Sequence, residues 1–169
     1  MAVKKISELT AKTTELQELD LLNVSEWNGA TYDTKSIDGS KFILSTKVSL
    51  SAAQIKTANS VPIALISAPG AGKAIEVISA LVNFQYGTVA FDSGSTAFEL
   101  QINTATTHQF LSSGFLNGTS NVFTRMGEVS SSTTQIMANE PLNFALSGAD
   151  ATVGDSTIDL YINYRIITL

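Results

Sequence analysis

The sequence predicts an all-β protein: an antiparallel two-sheet sandwich of jelly-roll kind, preceded by a short arm that carries a β-hairpin. Three observations point there. After residue 60, about eight runs rich in β-branched and aromatic residues follow one another at sandwich-like spacing. The last of them, Ser156 to Leu169, alternates cleanly, with Ile158, Leu160, Ile162, Tyr164 and Ile166 on one face and Asp159, Tyr161, Asn163, Arg165 and Ile167 on the other. Charge and aromatic residues are also unevenly spread. Seven of the ten basic residues and seven of the fifteen acids fall in the first 56 positions, whereas seven of the eight phenylalanines follow residue 60. This shift divides the chain into an N-terminal arm at 1–47, a connector at 48–60 and a β-sandwich domain at 61–169.

In the arm, Lys4 to Thr10 is extended or loosely helical, with Ile6 and Leu9 as apolar anchors. Thr13 to Asp20 fits one helical turn, with Thr13 as its cap. Leu21 to Trp27 reads as a strand, Asn28-Gly29 as a tight hairpin turn and Ala30 to Ile37 as the returning strand. Asp38-Gly39-Ser40 turns again. A lone hairpin is marginal in water, so Leu21, Leu22, Val24, Trp27, Tyr32 and Ile37 need a partner surface. Either their own downstream domain supplies it or another protein does.

Thr46 to Ser60 is polar, with a short helix expected from Ser51 to Ala58. Val61 to Tyr86 then reads as two strands joined by a tight turn at Pro69-Gly70-Ala71-Gly72. The first, with Ile63, Leu65 and Ser67 on one face and Ala64 and Ile66 on the other, is expected to be buried on both sides, and the second runs from Lys73 to Tyr86 as a long core strand. Gly87 to Phe91 and Ala97 to Ile102 are expected as strands flanking a hairpin loop at 92–96. His108 to Leu111, Asn121 to Arg125 and Gln135 to Met137 are weaker candidates, and Pro141 to Leu146 alternates clearly. No repeat of solenoid length occurs.

The residues also bound the chemistry. The chain of 169 residues has no cysteine, which removes disulfides, thiolate metal sites and thiol nucleophiles. A net charge of −5 with no basic stripe argues against nucleic acid as a partner. No apolar run reaches the length of a membrane span, and Met1 to Glu8 does not read as a secretory leader. Pro-Gly-Ala-Gly-Lys at 69–73 mimics a phosphate-binding loop, but Ser67 stands where glycine is needed and Ala74 where Ser or Thr is needed. A strand rather than a helix is expected after Lys73, so no cofactor is assigned. The single histidine, His108, has no triad context, and no nucleophile elbow occurs. The chain is therefore not expected to be an enzyme. Asp150, Asp155 and Asp159 could offer oxygen ligands to calcium, but solvated loop acids are the expectation. Trp27, Tyr161 and Tyr164 could stack on sugars, with packing as the default.

Lys4-Lys-Ile-Ser-Glu-Leu-Thr-Ala, Asp20-Leu-Leu-Asn-Val and the hairpin ending in Thr34-Lys-Ser-Ile together resemble the leader segment of tailed-bacteriophage virion proteins. Pro62 to Ala80 is similar to a β-domain recurrent in phage structural proteins. The resemblance covers most of residues 4–80. It implies a head fibre or capsid decoration protein at the virion surface, commonly homotrimeric, with the major capsid protein or another virion protein as partner. The alternative is a glycan- or receptor-binding module whose loops contact a host surface sugar. Sparse charge after residue 56 supports the trimer, with Tyr161 and Ile167 on the closing strand as its expected interface.

Overall fold

The structure is a computed structural model that describes residues 21–27, 32–38, 42–92, 97–103, 105–110, 115–128 and 137–169. Ile6, Leu9, the helical turn at 13–20, the Asn28-Gly29 turn, Gly39-Ser40, the loop at 93–96 and Gln135-Ile136 lie outside the described residues. The chain divides into two compact units, Met1–Leu44 and Ser45–Leu169.

The first unit holds β1 (Leu21–Trp27) and β2 (Tyr32–Asp38). They pair antiparallel in an unbroken register from Leu21 opposite Asp38 to Trp27 opposite Tyr32.

The second unit is the sandwich. Its elements are β3 (Leu44–Leu50), α1 (Ala52–Lys56), β4 (Ile63–Ile66), β5 (Lys73–Gln85), β6 (Ala97–Ile102), β7 (Ala105–Phe110), β8 (Val122–Arg125), β9 (Gly127–Glu128), β10 (Leu142–Ser147) and β11 (Thr157–Thr168). One sheet has the order β3-β11-β5-β8, the other β4-β10-β6-β7-β9. The chain crosses between sheets at nearly every connection, and first and last strands end up as neighbours. That strand order is the jelly roll.

The core forms where the two inner faces meet. Ile158, Leu160 and Ile162 of β11 and Ala80, Val82 and Phe84 of β5 are buried on one side, and Phe98, Leu100, Leu142 and Phe144 on the other. Four rings bridge the layers: Phe84 to Phe115 at 5.1 Å, Phe115 to Phe98 at 5.7 Å and Phe98 to Phe144 at 4.5 Å between centroids. Helix α1 is short, yet Ser51 and Gln54 close it with a reciprocal capping box, and Ile55 plugs the sandwich edge fully buried.

Several expectations are corrected. The stretch 48–60, read as a connector, contributes part of β3 and all of α1 to the sandwich unit. β4 and β5 do not form a hairpin: β4 pairs with β10, and β5 pairs with β11 and β8 in the opposite sheet. The turn between them is real, with Gly70 and Gly72 at φ of 102° and 71°, but it turns the chain from one layer to the other. β4 is an edge strand, and it is not buried on both faces: Ala64 is exposed and Ile63, Leu65 and Ile66 are half-buried. Gly87 to Phe91 is not a strand; it is the crossing from β5 towards β6, and Phe91 is buried without a ladder. Finally, strict alternation fails along β5. Ser79 lies opposite Asn163 and Val77 opposite Tyr164, leaving Ile78 as an unpaired bulge, 42 % exposed. The bulge turns Ile75 into the core and Glu76 out towards Arg165.

Candidate functional site

The outer face of the β3-β11-β5-β8 sheet carries the exposed aromatic residues Phe123 and Tyr161 amid polar side chains. Its rows follow from the register. Asp159, Asn83 and Phe123 lie side by side, as do Tyr161, Leu81 and Arg125. Alternation in β11 and β8 turns these residues outward because the intervening Ile158, Leu160 and Ile162 serve the core.

Phe123 is 64 % exposed and Tyr161 37 %. Their rings meet edge to face, 6.3 Å between centroids at 82°. Lys47 reaches from β3 to place Nζ 5.6 Å from the Tyr161 ring centroid and 2.9 Å from Asp159 Oδ2. Asp159 also accepts hydrogen bonds from Ser49 Oγ at 2.5 Å and Gln85 Nε2 at 2.9 Å. The Ser49 hydroxyl and Lys47 hold its carboxyl below the usual range, and Asp159 in turn raises Lys47. Asn163 accepts from Ser45 Oγ at 2.6 Å and donates to Ser79 Oγ at 3.0 Å. Arg165 pairs with Glu76, which raises the guanidinium further.

A second group of side chains organises one end of the sandwich. Asp92 accepts from the Thr152 hydroxyl at 2.5 Å and from the N–H groups of Thr152 and Val153 at 2.7 and 3.1 Å. Asp155 accepts from the Thr88 hydroxyl at 2.6 Å and from the N–H groups of Thr88 and Val89, both at 2.8 Å. Asp150 accepts from the N–H groups of Asn59 and Ser60 at 2.9 and 3.1 Å. Each carboxylate ties one loop to another and has its pKa lowered, Asp150 chiefly by the Ser60 side chain and then by the N–H groups, Asp155 chiefly by the Thr88 hydroxyl. In Asp92, with the Thr152 hydroxyl as the largest cause, it falls to about 2.

These geometries refine the reading of the acids. Asp150 and Asp155 are surface loop acids as expected, while Asp159 lies on β11; the oxygens of all three accept from donors, in three separate places. No group of three or more metal-ligating side chains comes together among the described residues. Tyr164 is buried and cannot stack on a sugar, whereas Tyr161 is open. Tyr161 and Ile167 do share the outward face of β11, with Ile167 half-buried opposite Ala74. In the hairpin, Trp27 lies opposite Tyr32 and Leu22 opposite Ile37, while Leu21 faces Asp38 and Val24 faces Lys35. The register thus divides the six hairpin residues between two faces. His108 occupies a β7 position opposite Leu100 and Glu128. Lys73 opens a strand of 13 residues, so no helix follows the phosphate-loop mimic.

Phe123, Arg125, Lys47 and Asp92 were not singled out by sequence reasoning. The signal for the first two was present: Phe123 and Arg125 alternate with Val122 and Thr124 and so share a face. That this face lies beside Tyr161 depends on a strand pairing that no local pattern encodes.

Comparison with family models, with curated proteins and with solved structures finds no match. No helix among the described residues is long and apolar enough to cross a membrane.

Proposed function

We propose that this chain is a structural protein of a tailed-bacteriophage virion, a head fibre or capsid decoration protein that holds to the particle through its N-terminal unit and displays the jelly roll. The observation that carries the reading is the division of the chain. Met1–Leu44 is a separate unit containing one two-stranded hairpin, and Ser45–Leu169 is a complete sandwich with its own core. A sandwich of this kind has no need of a two-stranded appendage, and a hairpin alone is marginal until another surface covers it. The resemblance of residues 4–80 to phage virion proteins supplies the identity of that surface: the capsid or a neighbouring virion protein. Loops fastened by carboxylates, in a chain without cysteine, suit a protein that must persist outside a cell.

A homotrimer belongs to the same proposal, because three linked weak contacts hold far better than one. Its interface is not drawn on Tyr161. That residue lies under the Lys47–Asp159 ion pair, and interface cores are depleted in charge.

Adding purified full-length chain to particles assembled without it tests the proposal. The wild type is expected to co-sediment with the particles. A full-length variant carrying Leu22→Asp, Val24→Asp and Ile37→Asp, with an unchanged β-sheet circular dichroism spectrum, is expected to stay in the supernatant. Equal binding of both proteins, or of neither, would overturn it.

A further inference from the structure

We propose that the open face of the β3-β11-β5-β8 sheet binds an acidic saccharide, a glycan bearing a carboxylate, with Phe123 as the stacking platform and Arg125 as the anion contact. The inference does not rest on the virion reading. Phe123 is 64 % exposed, the most open aromatic ring among the residues whose side chains are described. Its strand is already anchored to β5, and its core neighbour Met126 is buried, so the fold gains little from presenting a bare ring to water. Tyr161 abuts it nearly perpendicular, and Lys47 lies over the Tyr161 ring, which fixes that buttress from the far side. Tyr161 thus gives the Phe123 ring an edge-on support, which lowers the rotamer freedom to be lost on binding. Pyranose rings present a face of C–H groups that stacks on such a platform.

The polar surroundings select the rest of the ligand. Lys47 is paired with Asp159 and Arg165 with Glu76, so these four charges cancel. Arg125 is exposed, lies on the face of Phe123 two residues along β8, and forms no ion pair or hydrogen bond among the described residues. The strand rise puts the two backbones about 7 Å apart, within the span of one sugar ring and its substituent. A planar guanidinium matches a carboxylate with two parallel hydrogen bonds. Asn83, directly opposite Phe123, likewise has no side-chain partner among the described residues and offers both a donor and an acceptor to a hydroxyl. One uncompensated cation among the described residues of this face, in a chain of net charge −5, is too little for a polyanionic nucleic acid, although that ligand also stacks on aromatic rings. A second copy of the chain is disfavoured by the charge density around the ring.

The test uses isotopically labelled full-length protein titrated with trigalacturonate, with maltotriose as the neutral counterpart and a short oligothymidylate as the nucleic-acid probe. Saturable amide shifts are expected at Asn83, Phe123, Arg125 and Tyr161 with trigalacturonate, and weaker ones with maltotriose. Arg125→Gln should weaken trigalacturonate about tenfold and erase its advantage over maltotriose. Phe123→Ala should remove both. Both residues are exposed, so circular dichroism should not change. Absence of saturable shifts, shifts located elsewhere, or binding that survives Phe123→Ala would overturn the proposal. So would tighter binding of the oligothymidylate, or a fall in oligomer mass in Phe123→Ala, which would give the face to another copy.

Discussion

At the scale of single residues, the carboxylates decide how the protein responds to acid. Asp92, Asp150, Asp155 and Asp159 all have folded-state pKa values below the ordinary 3.8, because hydroxyl, N–H or ammonium donors favour the charged form. A depressed pKa adds stability that is complete above the unfolded value and disappears as pH falls through the folded one. The urea midpoint is therefore expected to hold steady from pH 7 to about 4 and then fall towards pH 2, where Asp92 itself titrates. Asp92→Asn should start from a lower midpoint and show a shallower acid fall. An acid limb as steep as the wild type's would show that Asp92 is not one of the fasteners. Two glycines make the same loops intolerant of side chains. A Cβ on Gly154 would run into the Phe91 ring, at a backbone φ of 120° that L residues avoid, and one on Gly87 would strike the Asp155 carboxylate. Gly154→Ala is expected to lower stability by about 1–3 kcal/mol from backbone strain alone, read from chemical denaturation.

At the scale of elements, the core and the open face make opposite demands on the same residue type. Phe144 is fully buried against Phe98, so Phe144→Ala is expected to cost about 3–5 kcal/mol in denaturation. Phe123→Ala should stay within about 0.5 kcal/mol, because its side chain is largely exposed and meets Tyr161 edge-on at the surface. A large loss at Phe123 would make it a structural residue instead. Strands whose identity depends on their own pattern were legible in the sequence. β11 alternates as expected along most of its length, β10 does so except at Ala145, which is also buried, β1 matches its expected bounds, and a short helix follows Ser51. What was not legible depends on partners far along the chain. Val61 to Ile66 has the composition of a core strand, but its place at a sheet edge follows from pairing with β10. The bulge at Ile78 arises from a mismatch with β11, and nothing within Lys73 to Tyr86 announces it. The candidate site follows the same division: Tyr161 was visible on β11, while its neighbours Phe123, Arg125 and Lys47 come from β8 and β3 and meet only in the folded sheet.

At the scale of the whole molecule, the account rests on two units with different tasks. The sandwich carries its own aromatic core and fastened loops, so residues 45–169 expressed alone should give a β-sheet spectrum and a cooperative thermal transition. A chain that collapses without the first 44 residues would mean that the units are not independent. Light scattering on the full chain should give three times the 17.9 kDa of one chain at micromolar concentration, and a monomer mass would remove the trimer from the proposal. The central claim, that the hairpin unit is the attachment device, is tested most directly by amide hydrogen exchange on the full-length protein, free and bound to particles. Strong new protection is expected across Leu21–Trp27 and Tyr32–Asp38, with none at Val122–Arg125 on the open sheet face. Protection that appears on the sandwich and leaves the hairpin unchanged would contradict the account.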